Sequence, residues 1–201
     1  MNRVLAAGAL AAAGLAAGLP ASAGAQTSVE LRGSTAAYRF ADVNHTFANG
    51  VMLDALYVAV PGQDEFYAGV GYTWKAARGL TLSPLAYGVA GVQREERGLV
   101  FGAYVLGDAG PWTLIAFAGR FVRLSGGVST YDFLDSADLM HRIAGPWDAG
   151  VSSSVYRQDT GWSHLTGPLV RRRDARGSWA LSVRTGADTE VRVVRVITFG
   201  P

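Results

Sequence analysis

The stretch Phe66-Tyr67-Ala68-Gly69-Val70-Gly71-Tyr72-Thr73-Trp74-Lys75 decides the reading of this chain. At period two, Phe66, Ala68, Val70, Tyr72 and Trp74 fall on one face, and Tyr67, Gly69, Gly71, Thr73 and Lys75 on the other. The first face is aromatic at both ends and aliphatic in the middle. That is the profile of a strand crossing a bilayer, with rings at the two headgroup levels and aliphatic groups in the hydrocarbon.

The same alternation recurs downstream. In 178–186, Trp179, Leu181 and Val183 alternate with Ser178, Ala180, Ser182 and Arg184; in 147–157, Trp147, Ala149, Val151 and Val155 alternate with polar or small residues. Near the start, Glu30, Arg32 and Ser34 share a face opposite Val29 and Leu31. So many Gly, Ser and charged side chains would make a poor soluble core, but they suit a polar lumen.

Strand-like segments lie at 28–40, 50–60, 65–77, 80–94, 98–106, 112–124, 130–144, 147–157, 162–172, 178–186 and 190–199. Turn signals such as Pro61-Gly62, Arg78-Gly79, Gly145-Pro146 and Arg176-Gly177 separate them, and no stretch has helical periodicity. Consecutive strands joined by short turns predict an antiparallel meander. Eleven is an odd count for a bacterial single-chain barrel, so either one segment is a loop or 27–49 holds two strands. The expectation is an all-β, antiparallel up-and-down transmembrane β-barrel of about 10–12 strands. Pro84, which cannot donate to a ladder, stands inside one segment.

The first residues read as an address. Arg3 precedes an Ala/Leu/Gly run over 4–19, followed by the small-residue patterns Ala21-Ser22-Ala23 and Ala23-Gly24-Ala25. A cleaved signal peptide at 1–25 and a barrel domain at 26–201 follow. The chain has no cysteine, hence no disulfide, and its 18 basic and 16 acidic residues nearly balance at net +2. That scattered charge gives no reason to expect a nucleic-acid partner.

The last segment runs Val191-Arg192-Val193-Val194-Arg195-Val196-Ile197-Thr198-Phe199 before Gly200-Pro201. Here the chain resembles small bacterial outer-membrane β-barrels, whose final strand carries alternating apolar residues ending in an aromatic. Val191, Val193, Ile197 and Phe199 match; Arg195 and the two-residue extension depart. The resemblance implies residence in the cell outer membrane, with outer-membrane lipid and the barrel-assembly machinery as partners.

Alternation assigns Arg32, Lys75, Arg120, Asp132, Asp138, Arg142 and Arg184 to the lumen, and Phe66, Tyr72, Trp74, Trp179 and Phe199 to the lipid face. Asp135 is expected to face away from Asp132 and Asp138, while Asp132, Asp138 and Arg142 share a face. Arg171, Arg172 and Arg173 form the one concentrated charge, a solvated hairpin end or an anion contact. His45, His141 and His164 lack the His-x-Ser spacing of a lipid hydrolase, and the aspartates are spaced for ion pairs rather than a calcium site. No catalytic residue, metal or cofactor is assigned. The expected function is non-enzymatic: a narrow passive channel or a structural envelope component. Two alternatives stand beside it: a soluble exported barrel, periplasmic or secreted, that turns its aromatics inward around a small apolar ligand, and a lipid-modifying enzyme of the outer membrane.

Overall fold

A computed structural model describes residues 24–92, 96–126, 129–158, 161–186 and 188–200. Most of the expected signal peptide lies outside them. The strands are β1 (Gln26–Ser34), β2 (Arg39–Thr46), β3 (Val51–Val60), β4 (Gln63–Tyr72), β5 (Trp74–Ala77), β6 (Leu80–Gly91), β7 (Arg97–Ala109), β8 (Trp112–Ser125), β9 (Tyr131–Ala144), β10 (Trp147–Gln158), β11 (Gly161–Asp174), β12 (Gly177–Gly186) and β13 (Thr189–Phe199). Each pairs antiparallel with its neighbours, and β1 closes on β13.

β4 and β5 are two pieces of one stave. The β4–β6 ladder ends at Gly71↔Leu85 and the β5–β6 ladder resumes at Trp74↔Leu82. Pro84 faces that gap, so the missing donor falls where the ladder is already interrupted. The Thr73 N–H donates to the Gly50 carbonyl instead (2.8 Å). The barrel thus closes with twelve staves, each paired on both sides, with only the short β5 reaching past β3 and pairing on one edge alone.

The expected single segment 28–40 is in fact the end of one strand, a turn and the start of another. Ala37 hides this turn, because it adopts φ +59°, where glycine or asparagine is the usual signal. By contrast Gly79, at φ +73° in the Arg78-Gly79 turn, is the expected residue there. The longest connections between consecutive strands span five residues, at 92–96 and 126–130. Both rims are therefore low.

The outer surface is apolar. Phe66, Tyr72, Trp74, Trp179 and Phe199 are all directed outward, 41–50% exposed, and Leu53, Val70, Val151, Leu181 and Val193 continue the belt between them. Four of the five tryptophans, Trp74, Trp112, Trp147 and Trp179, sit at the rim shared by Gln26 and Phe199. A continuous exposed apolar belt with a ring girdle at one edge is costly in water and favourable in a bilayer. Among the described residues no helix is long and apolar enough to cross a membrane.

Candidate functional site

The site is the lumen, and its two sides differ in chemistry. On one side, β10–β13 and β1 turn small and charged residues inward. Arg184 is fully buried; its Nε (3.1 Å) and Nη2 donate to Glu190 Oε2, and its Nη1 donates to Ser154 Oγ (3.1 Å). Arg192, two residues along β13, reaches Glu190 Oε1 at 3.5 Å and lies over the Tyr38 ring at 4.5 Å. Arg32 on β1 pairs with Glu30 and Asp135 and covers Phe40 at 4.2 Å. Because β9 stands five staves from β1 by the shorter way round, the Arg32–Asp135 pair crosses the lumen. Tyr156 donates to the other Asp135 oxygen (2.7 Å).

On the other side, β4 and β6–β9 turn rings inward. Tyr104 stacks on Phe117 (4.4 Å) and Phe121 on Tyr131 (5.1 Å), while Phe133 packs against Phe117 (5.4 Å). Glycines make room for them. A Cβ on Gly69 would lie 2.3 Å from the Tyr87 ring, and one on Gly98 2.3 Å from Phe121. On the inward face of 66–75, Gly69 is the seat of the Tyr87 ring and Gly71 lies against Leu85.

Between the two sides is a cavity of about 340 Å³, opening at the rim away from Gln26 and Phe199, where Ala36, Val60 and Gln63 line its mouth. Its wall combines rings from the aromatic side with Glu65, Asp135, Glu190 and Arg192. Glu65 accepts from Gln63 Nε2 and Tyr67 Oη, both at 2.6 Å.

The candidate lumen residues separate in this geometry. Arg32 and Arg184 are buried inside, and Asp138 is half-buried on the same inward face. Arg120 and Asp132 are turned outward. Arg120 faces Asp132 across the β8–β9 ladder, and Arg157 completes an exposed line with contacts of 3.6 and 3.7 Å. The expected common face of Asp132, Asp138 and Arg142 fails because β9 carries a bulge. Ala118 pairs with Leu134 but Phe117 with Ser136, so the parity reverses at Asp135. The same bulge turns Asp135 inward to meet Arg32. Lys75 and Arg142 are exposed near the tryptophan rim.

The arginine run does not act as one cluster. Alternation sends Arg171 and Arg173 inward to Asp148 (2.8 and 3.2 Å) and Arg172 outward over Trp147 (5.9 Å). Arg195 also faces outward, over Trp179 (5.1 Å) and paired with Asp174. Its stem covers the apolar belt while its charge stays at the rim. His45 bonds Thr27 Oγ1 (2.8 Å), His141 packs edge-on to Trp112, and His164 is exposed on β11. Among the described residues no group of three His, Cys, Asp or Glu could hold a metal ion.

Reasoning from sequence missed Asp135, Glu190 and Arg192 as lumen groups. For the last two a signal was present: Glu190 and Arg192 alternate with Val191 and Val193 on the final strand.

No family model and no curated protein sequence matches this chain. Solved structures do. KdgM porin superposes with a TM-score of 0.63 at 11% identity, covering 86% of this chain and 99% of that one. A second KdgM porin structure, in complex with disordered oligogalacturonate, gives 0.63 at 9% identity over 88% of this chain and 99% of that one. NanC porin gives 0.59 at 9% identity over 87% and 100%. The chain has the closed antiparallel barrel fold of these porins.

Proposed function

We propose that this is an exported protein of the bacterial cell outer membrane, non-enzymatic, that works as a narrow passive channel. One observation carries the reading: a sheet closed on itself, apolar and ringed with tryptophan outside, lined with ion pairs inside. Outside, that arrangement replaces water by lipid at little polar cost, because the backbone groups are paired within the sheet. Inside, the buried Arg32 and Arg184 are each held by a carboxylate, and a polar lumen is where such groups belong. The likeness to KdgM and NanC porins supports the fold on which the reading rests. Export through the leader, insertion by the barrel-assembly machinery and contact with outer-membrane lipid belong to the same proposal.

The lumen is narrowed by the Arg32–Asp135 pair that crosses it, so passage is restricted to small solutes. KdgM porin is seen with oligogalacturonate. Here Arg32 and Arg184 are held by carboxylates, which leaves little cationic surface for an extended polyanion. The test is single-channel recording in a planar bilayer. Small, discrete current steps are expected, rising several-fold when Arg32→Ala and Asp135→Ala are combined. A sealed response from both proteins, inserted and folded, would replace the channel with a structural barrel.

A further inference from the structure

We infer that the cavity at the mouth of the lumen is a binding site for a small organic anion with a flat apolar body, anchored by Arg192. The inference names a ligand class for the channel proposed above and rests on that reading only for its biological setting.

Hydrogen-bonding capacity singles out Arg192. Of the charged groups in the cavity wall, Glu65, Asp135 and Glu190 have a partner on each carboxylate oxygen. Arg192 is 5% exposed, and its Nε and Nη1 have no partner among the described residues. A buried guanidinium with two idle N–H groups beside a cavity is an unmet demand for an acceptor. Its single polar contact, to Glu190 at 3.5 Å, is long, since that carboxylate is already held by Arg184.

Arg184 and Arg192 share the single carboxylate of Glu190, while Glu65 and Asp135 elsewhere in the wall are engaged on both oxygens, Asp135 by Arg32 and Tyr156, so the donors left over in the wall are those of Arg192. A carboxylate fits the idle donors better than a neutral acceptor, because charge-assisted bonds to guanidinium are shorter and stronger. Tyr38 already holds the other face of the guanidinium, which fixes its plane.

The remaining wall selects the body of the ligand. Phe117, Tyr131 and Phe133 present rings, and Val58 and Leu165 aliphatic surface, in a space of about 340 Å³. That volume is at the small end of ligand pockets, which begin near ~300 Å³. One or two fused rings fill it, with the acid group reaching Arg192.

Calorimetric titration of the detergent-solubilised, folded barrel tests this, with naphthalene-2-carboxylate as probe and naphthalene-2-carboxamide as its uncharged counterpart. The acid is expected to bind saturably and about tenfold more tightly than the amide, a difference of one charge-assisted bond. Arg192→Gln is expected to reduce the acid to the affinity of the amide. Val58→Trp, which fills the cavity and leaves every charge in place, is expected to abolish both. Equal binding of acid and amide by the unaltered protein overturns the inference, as does undiminished binding by folded Val58→Trp. The acid-to-amide ratio needs no variant, so it decides the matter even if Arg192→Gln does not fold. Binding without current in the bilayer would remove the channel and keep the site; current without discrimination would do the reverse.

Discussion

From β4 to β9 the lumen wall is built around rings, several of them seated on glycines, whereas from β10 through β13 into β1 it is built around serines and paired charges. The two sides enclose the same lumen by different physics. The aromatic side is held by shape: Tyr87 lies over Gly69 and Phe121 over Gly98, with no space for a Cβ between them. The ionic side is held by pairing, in which each charge is tolerable only while its partner is present. Shape tolerates graded damage, while pairing does not. The Arg32–Asp135 bridge joins the two sides across the lumen, and the cavity lies where they meet.

The comparison is broken most severely at Arg184. Removing its acid with Glu190→Gln leaves a fully buried guanidinium without a counter-charge, at a cost of about 3–5 kcal/mol. Urea unfolding of the barrel in detergent, followed by heat-modifiable gel migration, is expected to show a strongly lowered midpoint. The double variant Arg184→Met, Glu190→Leu is expected to be more stable than Glu190→Gln alone, because it leaves one guanidinium, Arg192, without Glu190 instead of two. If the double variant is the worse of the two, shape rather than pairing governs this side as well.

The aromatic side breaks by overfilling. Gly69→Val places two methyl groups where the Tyr87 ring now lies, and the ring must leave its hydrogen bond to Asp54 (2.9 Å). Such overpacking costs about 1–3 kcal/mol. The combination Gly69→Val, Tyr87→Ala is expected to recover part of that loss in the same unfolding assay. If removing the ring does not help, the clash is with backbone and the ring-on-glycine account is wrong.

How much of this was legible follows from where alternation is preserved. The outward face of 66–75 and of 178–186 reads directly, because these strands keep their parity and a lipid-facing surface favours apolar groups between the rims. Arg32 and Arg184 were placed inside by the same rule. The rule failed at two local irregularities. Ala37 takes a left-handed turn that its side chain does not advertise, and this merged two strands into one. The β9 bulge reverses parity at Asp135, which sent Asp132 to the wrong face and concealed the lumen-crossing partner of Arg32. The aromatic side was missed for a different reason. Tyr87 and Phe133 stand opposite Gly69 and Gly119, and Phe117 and Phe121 cover Gly102 and Gly98 on the adjacent strand, a pattern visible only once the register is known.

The smallest effects are expected on the outer surface, where neither side's rule applies. At the tryptophan rim, Arg195→Ala removes a ring contact to Trp179 and an ion pair to Asp174, and a lowering of the unfolding midpoint much smaller than that of Glu190→Gln is expected. At the opposite rim, Arg120, Asp132 and Arg157 form a looser line, 3.6–3.7 Å apart and largely exposed. Arg120→Ala there is expected to change the unfolding midpoint by ~0–1 kcal/mol, and less at high salt. This contrast sharpens the division of the molecule, since an arginine inside is indispensable to its neighbours and an arginine outside is not. A loss at Arg120 as large as that at Glu190 would mean that the outer line is sequestered from water and salt. The exposed contacts would then have to be placed deeper in the bilayer, where an ion pair gains from the low dielectric what it lacks at the surface.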